Sequence, residues 1–398
     1  MVTVPDALLR ACEAIRAGHG PIAVDTERAS GYRYSQRAYL VQIRREGAGT
    51  VLVDPVALGD ELDPLVQALD GAEWVLHAAS QDLPCLGELG LRPRQLFDTE
   101  LAGRLAGHER VALGTLVENL LGYRLEKGHG AADWSRRPLP ADWLDYAALD
   151  VELLVPLRDV LEADLAAQGK LDWALEEFAA LRDAPPAPPR KEPWRRTSGI
   201  HRIRNPRGLA AVRSLWHARD TLARRRDVAP GRVLPDTAIV EAAVVAPVDE
   251  AALMRLPVYR GRAQRKLADL WMGALREAAA LPQRELPDTA PPSDGPPPTN
   301  RWADKDPAAA ARLSAARTAL IAIAQAHNLP TENLMQPDLV RRTCWQPPAD
   351  TGPEALERAL RDGGARNWQI GLTVDALLAA LAAKPAEPKL AENATATD

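Results

Sequence analysis

A chain of 398 residues with an apolar fraction of 46% is long enough for two or three domains with ordinary packed cores, which excludes disorder of the whole. Its formal net charge of -5 does not mark a nucleic-acid binder, although an average can conceal a basic segment beside an acidic one. Cys12, Cys85 and Cys344 lie far apart without Cys-x-x-Cys or Cys/His spacing, which argues against a disulfide framework or structural zinc and fits a reducing cytoplasm.

Met1 to Arg16 shows no basic segment followed by a long apolar core, and no run elsewhere reaches membrane-spanning length. The expectation is a soluble, cytoplasmic protein. Proline density then draws the boundaries. Asp183 to Pro189 and Leu286 to Asn300 are too Pro-rich for a helix or central strand and read as extended linkers. The expected division is a domain over 1–182, a Pro-rich basic linker over 183–199, a domain over 200–282, a second linker over 283–300, a domain over 301–383 and a disordered tail over 384–398.

In the first domain, strand-length apolar runs recur at Ile22 to Val24, Tyr39 to Ile43, Val51 to Val53, Trp74 to Leu76 and Leu96-Phe97. Helical patterns cover Leu62 to Leu69, Leu83 to Leu89, Leu101 to Leu105, Leu113 to Leu121 and Trp143 to Leu165. Strands first, with helices between and after, predict an α/β domain: a mixed sheet covered by helices, with a site at its strand ends. The second and third domains read as wholly helical and related. Pro230, Leu234 and Val240 match Pro330, Leu334 and Val340 between similar amphipathic helices, which predicts a divergent internal repeat.

Three places in the first domain carry chemistry. Ile22-Ala23-Val24-Asp25-Thr26-Glu27 is an apolar strand ending in two carboxylates that alternation puts on one face. Like charges at that range leave one acid protonated or take a cation between them. Alone, an Asp-x-Glu is more often a solvated strand end. Asp82 follows the strand Trp74 to Leu76, where a capped helix with Ser80 as its cap is the simpler reading. Tyr146 and Asp150 are four residues apart and so share a helix face, a spacing that chance often supplies.

Together, Asp25-x-Glu27, Asp82 and Tyr146-x-x-x-Asp150 resemble, in order and spacing, the exonuclease motifs of the DEDD superfamily of 3′-to-5′ exonucleases, in its tyrosine branch. Leu76-His77-Ala78, Leu96-Phe97-Asp98-Thr99, Asp133 to Leu139 and Tyr146-Ala147-Ala148-Leu149-Asp150 resemble the ribonuclease D family more closely still. The two helical domains look like tandem HRDC modules, the second more divergent. The resemblance covers nearly the whole chain. It implies an RNase H-like mixed-sheet exonuclease domain followed by two small all-α HRDC-like domains. It also implies two divalent ions, Mg²⁺ or Mn²⁺, which suit hard oxygen ligands. Asp25, Glu27 and Asp150 would hold one ion, Asp25 would bridge to a second, and Asp82 would reach the second through water. Tyr146, with an ordinary pKa of about 10, would orient the attacking water rather than act as base.

The implied activity is hydrolysis of RNA 3′-terminal phosphodiesters to nucleoside 5′-monophosphates, in tRNA 3′ processing or RNA turnover; the sequence does not fix the oligomeric state, for which a monomer is the favoured expectation. The same chemistry on DNA, or an inactive RNA-binding adaptor, is the alternative. Candidate substrate contacts are Thr26, Gln42, His77, Lys127, Arg136 and Arg137, with a structural histidine the simpler reading of His77 and surface solvation an equal alternative for the three cations. Asp98 is a further acid that a helix N-cap explains equally. From Arg190 to Arg232 the chain is strongly basic, with Trp194 and Trp216 interleaved, a pattern suited to holding an RNA strand; for Trp216 a core position is the simpler reading.

Overall fold

The computed structural model describes residues 1–125, 128–290, 295–350 and 352–384. Lys127, part of the second linker and nearly all of the tail lie outside the described residues. The first unit opens with α1 (Pro5–Ala17) and builds its sheet from β1 (His19–Arg28), β2 (Ala38–Glu46), β3 (Gly49–Val53), β4 (Glu73–Leu76) and β5 (Gln95–Asp98). Between them lie α2 (Pro55–Leu58), α3 (Asp63–Leu69) and α4 (Leu83–Glu88). After β5 come α5 (Thr99–Ala106), α6 (Leu113–Leu121), α7 (Ala141–Glu152), α8 (Leu154–Ala167) and α9 (Leu171–Arg182).

The strand order is β3-β2-β1-β4-β5. The first three form an antiparallel meander, and β4 and β5 join β1 in parallel, so the sheet is mixed as the element order predicts. Alternation sorts the side chains of β1. Ile22 and Val24 pack with Leu8, Ile15, Leu65 and Leu86 on the face covered by α1, α3 and α4. Ala23 points the other way, joining Val75, Phe97, Leu157 and Leu161 beneath α8. β1 pairs with β4 only at Ile22 and Ala23, yet runs on to Arg28 with β2 alone beside it. A crevice therefore opens at the carboxyl ends of the parallel strands, where an α/β sheet carries its site.

The helix expected over Trp143 to Leu165 is two helices, broken at Leu153 (φ -109°, ψ 6°). Pro156 lacks an N–H, and in a continuous helix its ring would crowd the carbonyl of Glu152 four residues earlier. The break frees α7 to lie across β1, β2 and β3 while α8 follows β1 and β4.

The helical units share a plan. The second comprises α10 (Pro206–Arg226), α11 (Pro230–Val233), α12 (Asp236–Val245), α13 (Glu250–Met254), α14 (Arg262–Arg265) and α15 (Ala268–Ala280). The third comprises α16 (Trp302–Lys305), α17 (Pro307–Ala326), α18 (Thr331–Leu334), α19 (Pro337–Trp345), α20 (Pro353–Asp362) and α21 (Asn367–Leu381). Each long helix opens with proline after a capping side chain, Asn205 on the Gly208 N–H and Asp306 on the Ala309 N–H. Leu234 and Leu334, and Val240 and Val340, are buried at matching places.

Their attachment differs. The second unit has its own core around Leu215, Ile239 and Trp271, and that core takes in Trp194, so this tryptophan is not a free stacking platform. The third unit's core runs without interruption into the helical layer of the first, from Leu320 and Leu377 to Leu161 and Phe178. Trp173 stacks on Trp368 at 5.0 Å between ring centres, and Glu176 accepts from the N–H groups of Asn367 (2.8 Å) and Trp368 (3.3 Å) at the start of α21.

Candidate active site

Asp25 and Glu27 continue the Ala23 face of β1 and so sit beneath the α7 and α8 side of the sheet. The α7 helix brings Tyr146 and Asp150 to them, with the tyrosine hydroxyl beside the Asp150 carboxylate, close enough for each to shift the other's pKa. Thr26 points to the opposite face, where its hydroxyl donates to Asp82 Oδ1 at 2.6 Å and lies 3.3 Å from Cys85 Sγ. Asp82 occupies the N-cap position of α4, but its carboxylate makes no cap bond, and Ser80 does not cap the helix either. A capping residue diverted to a neighbouring strand is evidence that the capping explanation fails here.

Asp98 secures that geometry. Its carboxylate caps α5 at the N–H groups of Glu100 (2.9 Å) and Leu101 (3.1 Å). It also accepts from Ala78 (3.1 Å) and Ala79 (2.8 Å), across the turn where Ala78 takes a left-handed φ of 58°. The N-cap reading of Asp98 thus holds, with the second task of pinning the turn that delivers Asp82.

Burial raises all four carboxylates, and neighbouring acids add to it at Asp25 and Glu27. Burial, then Asp82 and Asp150, hold Asp25 well above the usual carboxylate range. Glu27, 6% exposed, is pushed to about 9 by burial, then by Asp25, Asp150 and Asp82. Burial lifts Asp82 and Asp150 to about 6 each, held back by the Thr26 hydroxyl and Arg28 at the first and by the Tyr146 hydroxyl at the second. Burial and the charges of Asp150 and Glu27 drive the Tyr146 phenol well above its ordinary value, which removes it as a base near neutrality. Among the described residues, no three His, Cys, Asp or Glu side chains already stand as an ion's ligand set.

The expected substrate contacts fall into different places. Gln42 lies opposite Asp25 on β2, fully buried, with neither amide atom partnered. An unmet buried amide costs on the order of 1–3 kcal/mol, which makes it a candidate for a group arriving in the crevice. His77 is turned away to Thr99: that hydroxyl donates to the Leu76 carbonyl, so the ring Nδ1–H donates to it at 2.9 Å. Burial holds the imidazole near pKa 4, and it is a neutral structural residue. Arg136 is exposed. Arg137 does not face a phosphate: Asp54 takes two of its N–H groups, at 2.7 and 2.9 Å, and the carbonyls of Tyr39, Trp134 and Arg136 take the rest. A guanidinium has five such donors, so none remains for substrate.

Two contributors escaped the sequence reading. Arg28 follows Glu27 and lies 3.8 Å from Asp82, the cation that tempers Asp25, Glu27 and Asp82. Its place two residues beyond Thr26 on the same strand face was the available signal. The His129 ring meets the Tyr146 ring edge-on at 5.8 Å, and a Cβ on Gly128 would come within 2.7 Å of that ring, so a close loop walls the tyrosine. No sequence spacing announces that packing.

A family model for 3′-5′ exonuclease matches residues 1–166, one for the HRDC domain matches 208–275, and one for the 3′ to 5′ exonuclease C-terminal domain matches 295–381. The chain is 36% identical to a ribonuclease D of Acidiphilium cryptum over 75% of its own length and 77% of the relative's. A ribonuclease D of Gluconacetobacter diazotrophicus is 34% identical over 86% of this chain and 88% of the relative. Among solved structures, a protein from Bifidobacterium adolescentis superposes with a TM-score of 0.87 at 36% identity, covering 96% of both chains. Escherichia coli RNase D gives 0.68 at 25%, covering 96% of this chain and 98% of the other.

Proposed function

Since the chain belongs to the ribonuclease D family and is a 3′-5′ exoribonuclease, we propose that the crevice at the end of β1 releases nucleoside 5′-monophosphates from RNA 3′ ends, with Asp25, Glu27, Asp82, Asp150 and Tyr146 as its machinery. The observation that supports this assignment is the convergence of four carboxylates from three separate segments, each with its pKa pushed up. Such a group is short of positive charge, and an all-oxygen donor set suits two hard divalent ions, Mg²⁺ or Mn²⁺. Bound there, these ions would supply charge for the in-line displacement at phosphorus.

The chain's own groups do the rest. Asp25, Glu27 and Asp150 hold the ions from the α7 face, and Asp82 from the α4 face, steadied by Thr26. Tyr146, neutral and set beside Asp150, orients the attacking water by a hydrogen bond. Gln42 offers its unmet amide to the terminal nucleotide. The substrate strand is guided by the second unit and the linker before it, where Arg196, Arg202, Arg204, Arg225 and Arg226 are exposed. Arg219 does not contribute: it is buried against Asp236 at 2.6 Å. The fold neighbour from Escherichia coli is an exoribonuclease involved in structured RNA processing, and we assign this chain the same class of substrate, tRNA precursors included. Degradation of matched RNA and DNA oligonucleotides in Mg²⁺ tests the reading; faster loss of the DNA overturns it.

A further inference from the structure

Residues 29–37 connect β1, with its Asp25 and Glu27, to β2, and they are gripped from two sides. From the second unit, Tyr34 Oη donates to Asp220 at 3.0 Å and accepts from Arg224 at 3.2 Å. The Ser35 N–H donates to Asp227 at 2.9 Å, the Ala229 N–H to the Tyr32 carbonyl at 2.9 Å, and Arg232 Nε to the Gly31 carbonyl at 2.7 Å. Arg232 also lies over the Tyr32 ring at 4.0 Å. The corner between α10 and α11 thus binds several consecutive residues of one catalytic loop, through backbone as well as side chains.

From the nuclease side, Arg33 Nε donates to Ser135 Oγ at 2.8 Å. Next to it Trp134, fully buried, donates to the His129 carbonyl at 3.2 Å, and His129 is the residue that walls Tyr146. One apolar cluster contains Ala29, Tyr32, Tyr39, Trp134, Ala147 and Tyr146. The loop is therefore continuous, through packed side chains, with the tyrosine proposed to orient water.

We propose that the α10–α11 corner is a positioning element for the nuclease, fixing the β1–β2 loop and through Trp134 and His129 the place of Tyr146, with Tyr34, Asp227 and Arg232 as positioning residues. The inference rests on the exonuclease reading above. A helical unit that only collected RNA would act on substrate affinity; one that also sets the crevice acts on turnover. Asp227 gives the sharpest handle. It ends α10 in the left-handed region, at φ 47° and ψ 51°, a conformation that Asn shares with Asp and that Ala resists.

The test uses the full chain and an RNA trinucleotide, a substrate that leaves little strand for the helical units to hold. Asp227→Ala should lower kcat about 10-fold and Tyr34→Phe about 5-fold, each with KM within 2-fold of the parent. Asp227→Asn, which keeps an acceptor and the backbone preference, should restore kcat to within 2-fold. Amide exchange should quicken over residues 29–37 and 129–135 while α15 keeps its protection, showing that the second unit remains folded. Unchanged kcat in both variants overturns the proposal, including the case in which only KM for long RNA rises. A parent protein that cleaves no RNA would instead sink the exonuclease reading.

Discussion

Glu27 is the most instructive residue to neutralise, because the same burial that suits it to hold cations makes it a burden without them. Its folded-state pKa is about 9 against an ordinary 4.5. A carboxyl raised in this way contributes stability that is complete below the unfolded value and is lost as pH climbs toward the folded value. At pH 7.5, three units above 4.5, protonating it on folding costs about 4 kcal/mol at about 1.36 kcal/mol per unit. Glu27→Gln removes that cost in a nearly isosteric side chain. In EDTA at pH 7.5 the nuclease transition should rise by roughly 5–10 °C, and by only a few degrees at pH 5.5, where one unit separates solution from 4.5. Cleavage in Mg²⁺ should fall by at least about 100-fold. Scanning calorimetry with and without Mg²⁺, beside release of nucleotide from a labelled RNA, reads both. A variant less stable than its parent at both pH values, or one that still cleaves, refutes the electrostatic argument.

Asp25→Asn and Asp150→Asn should each abolish cleavage while leaving RNA affinity in EDTA within about 2-fold by anisotropy, since neither residue lies on the basic helices; retained hydrolysis breaks the metal assignment. Tyr146→Phe should lower kcat about 10- to 100-fold with the same alkaline pH profile, because the phenol stays protonated throughout; a lost alkaline limb would make the tyrosine a base after all. Metal affinity, followed by calorimetric titration of Mg²⁺, should climb from pH 5.5 to 7.5 as Asp82 and Asp150 lose protons near 6. A flat titration would remove both acids from the ion site. Arg137→Gln should cost about 2–3 kcal/mol of stability by stranding buried Asp54, yet leave KM for RNA unchanged within 2-fold; a raised KM would return Arg137 to the substrate.

The strands and the places of the five motif residues on them and on α4 and α7 were legible because each depends on local order: an apolar run that ends in acids, an acid after a strand, a tyrosine and an acid one helical turn apart. What the acids do to each other was legible as well, since like charges on one strand face repel whatever surrounds them. Partner choice was not. Arg136 and Arg137 are neighbours of one chemical type, and only the approach of Asp54 from 83 residues away separates a surface cation from a structural clamp. Trp194 sits amid arginines in the sequence, yet its ring belongs to a core assembled from α10 and α15. Pro156 was visible throughout, but the long apolar pattern from Trp143 masked the break it imposes.

The unequal attachment of the two helical units reverses the dependence that chain order suggests. The middle unit leans on the nuclease through hydrogen bonds to a loop, whereas the last one is fused to it by a shared apolar interior, with Trp173 and Phe178 beneath it. Trimming from the carboxyl end therefore cuts first into the nuclease's own foundation. Loss of activity in a shortened chain would report a wet, exposed helical layer rather than a missing grip on RNA. The piece with a core of its own is the one in the middle, joined to the nuclease at the β1–β2 loop, which makes this enzyme a two-part body with an insert and not a catalytic head with a two-part tail.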